Sequence, residues 1–187
     1  YMVAADNWNN LPGAIRVWTL GSGAAADGLP RGVLVYRSAG WDSEINHVSH
    51  SNARPGVPAG KVEVLEFFSY ACPHCSAFEP AIETWEKQLP AEVVLRRVPV
   101  PFLMNADNFM HAYYALETIG AVKDAQLKIF RGIHIERQRL DTGENIAAYL
   151  GKNGVDAAKF LAAFKSFSVA TSVTRAKKMV ADYKVDR

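Results

Sequence analysis

At Lys61 the rhythm of apolar and polar positions changes. KVEVLEFFSY, residues 61–70, is rich in Val and Phe and carries apolar side chains on both alternating faces. That is the pattern of a strand covered on both sides. Beyond Cys72, the positions Phe78, Ile82, Trp85 and Leu89 recur at steps of four, three and four, which is one stripe of a helix. Pro80 lies inside the stripe and should kink it, and Leu89-Pro90 closes it. VVLRRVPV, residues 93–100, returns to strand composition, with Pro99 and Pro101 ending it. From Asn105 onward the period is helical. Phe109, Tyr113, Leu116 and Ile119 form one stripe, stopped by Gly120, and residues 123–136 form a second helix. DTGE, residues 141–144, is a capping-box-like start for a helix ending near Gly151. Asp156 caps a further one, with Phe160, Leu161, Phe164 and Phe167 facing inward, and residues 169–184 form the last. The predicted order is strand, helix, strand, then a block of helices, with no internal repeat.

Residues 1–60 hold no sustained period. AIRVWTL and GVLVY are candidate short strands, and residues 38–60 have the composition of loop or disorder. This stretch is left as an unassigned, irregular segment. Trp8, Trp18 and Trp41 within it support no claim.

Composition narrows the function. Nearly half of the residues are apolar, 49%, which supplies a sizeable core for one domain or one domain carrying an insertion. The formal net charge of +2 is too small to argue for a nucleic-acid partner or an anionic membrane surface, and no block of like charges marks a basic arm. The densest basic spots, Arg96-Arg97 and Lys177-Lys178, read as solvated faces. No apolar run reaches the roughly 18–20 residues a membrane span needs. Residues 11–27 imitate a secretory signal weakly, but Arg16 and several glycines interrupt them, so they are not read as one. The chain is expected to be either mature protein or a sequence whose true start is missing.

The chain has two cysteines, Cys72 and Cys75. A bridge between them closes a tiny loop and stabilises little, so a chemical role is the better expectation. Cys72 at the start of the helix after the strand would face unpaired backbone N–H groups and the positive end of the helix dipole. Both favour thiolate over thiol. Pro73 suits the first turn because it has no N–H to satisfy, and His74 can add a hydrogen bond or positive charge beside the sulfur. Cys75, one turn on, is placed to close a disulfide with Cys72 and is expected to be more buried. A stabilised thiolate stabilises the reduced pair, so its disulfide is oxidising and is donated to other thiols. Glu66, in the apolar run VLEFF, is a buried carboxylate that could take the proton of Cys75 as a general base.

Other readings compete. His47 and His50 with Cys72 and Cys75 make a zinc shell in type, although the order and spacing of a finger are not met. The helices could form a non-redox, chaperone-like module that holds unfolded peptides. An isomerase or reductase would use the same cysteine chemistry, but isomerases usually dimerise and no dimerisation element is evident. His111 and His134 read as surface or packed helix residues.

VLEFFSYACPHCSAFEPAIE, residues 64–83, resembles the DsbA-like thiol:disulfide oxidoreductases of the bacterial periplasm. The likeness runs from about Lys61 to Arg187. It implies an α/β, thioredoxin-like fold with an inserted helical domain. Residues 61–104 would be the N-terminal thioredoxin-like part, 105–167 the insertion and 168–187 the helix returning to the core. It implies that Cys72 exchanges with substrate thiols, that Cys75 resolves, that His74 stabilises the thiolate and that Glu66 is the family's buried acid, with Arg97 near it. The catalytic set is therefore Cys72, Pro73, His74, Cys75 and Glu66. No cofactor or metal is expected, the cysteine pair being the redox centre. The implied partners are reduced or unfolded polypeptides and a membrane quinone-linked thiol oxidase that restores the disulfide, and the implied state is monomeric. The family's valine–cis-proline step and its C-terminal strands would lie beyond Arg187, since neither Pro99 nor Pro101 can replace that proline. The chain is read as truncated there.

Overall fold

A computed structural model describes residues 33–34, 48–49, 62–91, 93–183 and 185. Val33–Leu34 (β1) pairs antiparallel with Val48–Ser49 (β2), Val33 opposite Ser49. Part of the predicted strand GVLVY is therefore present, while AIRVWTL lies outside the described residues. Val62–Phe68 (β3), helix Pro73–Glu86 (α1) and Val93–Pro99 (β4) follow as a β-α-β unit in which β3 and β4 are sheet neighbours. Five helices come after them: Ala106–Thr118 (α2), Val122–His134 (α3), Gly143–Lys152 (α4), Ala157–Phe164 (α5) and Phe167–Asp182 (α6). None of the described helices is long and apolar enough to cross a membrane.

The chain divides into two compact units. The first takes Tyr1–Glu66 and Pro80–Arg97, the second Phe67–Glu79 and Val98–Arg187. In the first, Val64, Leu65 and Ile82 are buried. Successive residues of β3 are buried on both of its faces, as its composition predicts. The early part of β4 alternates half-buried and exposed residues up to Arg96. Pro80 sits inside α1, which runs unbroken through it.

In the second unit an aromatic cluster fills the centre. The ring of Phe68 meets Tyr70 and Tyr113 edge-on at 5.2 and 5.3 Å, and Tyr70 meets Phe130 at 5.1 Å. Edge-to-face pairs at this spacing add to the burial energy of the rings themselves. The α2 stripe Phe109, Tyr113 and Leu116 is buried here. Helix α2 packs against α5 and α6, and α4 against α5 and α3. Gly120, at φ 70°, ends α2. The N–H of Gly120 bonds Glu117 and that of Ala121 bonds Leu116, a pairing that needs a left-handed residue and so favours glycine.

Arg97 is buried rather than part of a solvated face, and two expectations about the helices are also corrected. The cap of α4 is Thr142, whose side chain accepts from Asn145 N–H. Asp141 is instead taken up by Arg139 Nε at 2.6 Å and Asn145 Nδ2 at 2.9 Å. Glu144 reaches Lys165 instead of the cap. Phe167 does not face inward: it is 88% exposed. Ser166 stops the α5 period and caps a new helix, so Phe167 is the first residue of α6 and falls outside the stripe of Phe160 and Phe164.

Candidate active site

The site begins where β3 ends. Ser69, Tyr70, Ala71 and Cys72 form a turn closed by Cys72 N–H donating to Ser69 O at 3.1 Å. Helix α1 starts at once with Pro73, which fits a first-turn position because no N–H is lost there. The next backbone bond, Ser76 N–H to Cys72 O at 3.1 Å, marks Cys72 as the capping residue. Its Sγ accepts the N–H of Cys75 at 3.4 Å, the bond an N-cap oxygen usually makes three residues on.

The electrostatic result is large. The Cys72 thiol is lowered from an ordinary 9.0 to about 5. The hydrogen bond from the Cys75 thiol is the main cause, and burial opposes it. The backbone N–H groups of Cys75 and His74 and the charge of His74 lower it further. Cys72 is partly exposed, Cys75 is buried, and both are free thiols. Pro73 and His74 are exposed. One sulfur is thus open to attack and easily ionised, while its neighbour on the same turn of helix is covered.

The second unit holds Cys72, Pro73, His74 and Cys75 together, and Glu66 belongs to the first. There Glu66 is buried, with Arg97 Nε at 3.0 Å from its carboxylate. Arg97 Nη1 also reaches Glu86 at 3.2 Å. A buried carboxylate needs such compensation. Among the described residues no group of three or more His, Cys, Asp or Glu could hold a metal. His47 and His50 lie outside those residues.

Four residues to which the sequence assigns no role in the site stand behind the turn; His134, expected as a surface or packed helix residue, is one of them. Tyr70 is fully buried and donates its hydroxyl to Gln126 Oε1. Gln126 Nε2 donates to Glu79 Oε2 at 3.5 Å, and Glu79, one turn past Cys75, is itself buried. His134 Nε2 donates to the Tyr70 carbonyl at 2.8 Å. Glu79 could have been noticed as an acid between the apolar Phe78 and Ile82. Nothing in sequence marks Gln126 or His134 as partners of a residue more than fifty positions away.

The profile of DSBA-like thioredoxin domains matches residues 63–186. The thiol:disulfide interchange protein DsbA of Bordetella parapertussis is 41% identical over 138 residues, covering 72% of this chain and 66% of that protein. The protein of the same name from Burkholderia cepacia is 39% identical over 161 residues, covering 86% and 74%. Among solved structures, Pseudomonas aeruginosa DsbA superposes with a TM-score of 0.68 at 38% identity, over 73% of this chain and 71% of that one. Reduced DsbA1 from Neisseria meningitidis gives 0.64 at 28% identity, over 73% of each. The chain thus spans just under two thirds of its Bordetella relative. These neighbours bear out the thioredoxin-like α/β fold with a helical insertion.

Proposed function

The chain belongs to the family of DsbA-like thioredoxin domains, and from that premise we propose that its oxidised form passes a Cys72–Cys75 disulfide to reduced polypeptides. A substrate thiolate attacks Cys72 Sγ. The Cys72–Cys75 bond breaks, and Cys75 leaves with the electron pair and takes up a proton. A second substrate thiolate then attacks the substrate sulfur of the mixed disulfide, and Cys72 leaves as thiolate. The substrate has lost two electrons and gained a disulfide, and the protein holds both electrons as a dithiol.

The observation that carries this reading is the half-open, low-pKa sulfur of Cys72 at the start of α1, with Cys75 covered behind it. A thiolate stable at about pH 5 is a good leaving group at neutral pH and favours the reduced pair, which makes the disulfide oxidising. Pro73 and His74 are the residues between the sulfurs that shape this N-terminus. Glu66 is the proton carrier for Cys75, a role that its burial supports. The cysteine pair is the redox centre and no further cofactor enters the cycle. Exported polypeptides in the periplasm are the substrates, and a quinone-linked thiol oxidase of the membrane restores the disulfide.

The test is oxidation of reduced ribonuclease by the oxidised protein, run beside iodoacetamide trapping of Cys72 from pH 3 to 9. Recovery of ribonuclease activity with an alkylation midpoint near 5 is expected. A midpoint in the range of ordinary cysteines, or recovery that survives Cys72→Ser, overturns the reading. The second outcome would mean that the ribonuclease disulfides form through an oxidant other than the Cys72–Cys75 pair.

A further inference from the structure

Helix α3 grips the turn before the dithiol at three points. Gln126, Phe130 and His134 follow one another at steps of four and so share one face of the helix. Each meets a different part of Tyr70. Gln126 takes the hydroxyl, Phe130 lies edge-on to the ring at 5.1 Å, and His134 holds the backbone carbonyl at 2.8 Å. A carbonyl can only accept, so the imidazole N–H sits on Nε2. The same peptide unit is held from its other end. Ala71 N–H donates to Ser69 Oγ at 3.2 Å.

That peptide is the central one of the turn closed by Cys72 N–H and Ser69 O. Its two faces are what separate the common turn types, because rotating the central peptide interconverts them. Whatever fixes it also fixes the direction in which the chain enters Cys72. The cap at Cys72 is sensitive to that direction, since Sγ must point at the Cys75 N–H.

We propose that His134 is a positioning residue for the reactive sulfur: by holding the Tyr70 carbonyl it orients the peptide that delivers Cys72 to the start of α1. Helix α3 thereby acts on the reactivity of the dithiol through the Tyr70 peptide. The proposal rests on the disulfide-transfer reading and adds to it a control exerted from α3.

The test compares His134→Phe with His134→Gln in the full chain. Phenylalanine keeps a ring against Phe130, on which His134 stacks at 6.2 Å, but removes the donor. Glutamine restores a donor and removes the ring. The readouts are the alkylation midpoint of Cys72 and the rate of disulfide transfer to a reduced dithiol peptide. His134→Phe is expected to raise the midpoint and slow transfer about fivefold, the weight of one lost hydrogen bond. His134→Gln is expected to recover most of both. If His134→Phe does not fold, Ser69→Ala, which releases the other end of the same peptide, must move the midpoint the same way. Parent values in His134→Phe, or a His134→Gln no better than it, overturn the proposal while a depressed parent midpoint leaves the functional reading standing. A parent thiol with an ordinary midpoint removes both.

Discussion

Helices α1 and α6 start in the same way. Cys72 Sγ accepts the N–H of Cys75 at 3.4 Å, and Ser166 Oγ accepts the N–H of Val169 at 3.3 Å. Thr142 and Asp156 repeat the arrangement at α4 and α5. In α6 the cap satisfies the Val169 N–H and shares a hydrogen bond with Ser168 Oγ at 3.0 Å, and it stays neutral, because a serine hydroxyl does not ionise in the working range. In α1 the capping atom can carry a full charge, so the same N–H groups that would have been satisfied by an oxygen hold a thiolate instead. The proposed redox centre is an ordinary helix start with sulfur in the place of oxygen. What distinguishes it is the second sulfur at the position the cap already addresses, and the aromatic and polar wall behind Tyr70.

The sharpest way to break the comparison is Cys72→Ser, which gives α1 the cap of α6. Serine is among the preferred capping residues, so the helix start should survive. Disulfide transfer should be abolished, since no partner remains for Cys75. The two results together, an intact fold by circular dichroism and no ribonuclease oxidation, would separate the capping role from the chemical one. Loss of the fold would show that the thiol itself is needed to start α1.

The charge can be tested by pH. The Cys72 thiol is depressed in the folded protein to about 5 from an ordinary 9.0. A depressed acid adds stability that is complete above its unfolded value and lost as pH falls through its folded value. The reduced protein should therefore melt above the oxidised one at pH 8, and the gap should close as pH falls toward 5. No such trend is expected from α6, where Ser166 carries no charge. A gap independent of pH would mean that the thiolate is not what stabilises the reduced form.

Next in size is the wall. Gln126 is buried and links the Tyr70 hydroxyl to Glu79. Gln126→Leu keeps the volume and removes both bonds, and a buried polar group that loses a partner costs about 1–3 kcal/mol. Urea unfolding should register a loss of that order. A neutral result would show that Tyr70 and Glu79 are held well enough by their other neighbours.

These tests also mark what the sequence could and could not disclose. β3, α1 and the cysteine pair were legible because their signals are local: a two-faced apolar run, a stripe at steps of three and four, and thiols three apart. The caps Asp156 and Gly120 were legible for the same reason. Thr142 was missed by one position because Asp141, an equally good capping residue, is drawn off by Arg139. Phe167 was misread because it continues the apolar spacing of α5 across a break that Ser166 makes. The wall behind the turn joins residues 56 and 64 positions apart, Tyr70 with Gln126 and with His134. No periodicity within one helix predicts which face of another segment it will meet.

The smallest effect belongs to the other side of the comparison. Ser166→Ala removes the α6 cap, which is worth about 1 kcal/mol. It leaves the Val169 N–H at the start of a helix whose first residue, Phe167, is already exposed, so water can take over part of the bond. The thermal midpoint should fall by a few degrees at most. The alkylation midpoint of Cys72 should not move, because the hydrogen bonds of the Ser166 hydroxyl are local, to Ser168 and Val169. If it does move, the two helix starts are coupled through the packing of the second unit, and the reactivity of the sulfur is a property of more than its own helix.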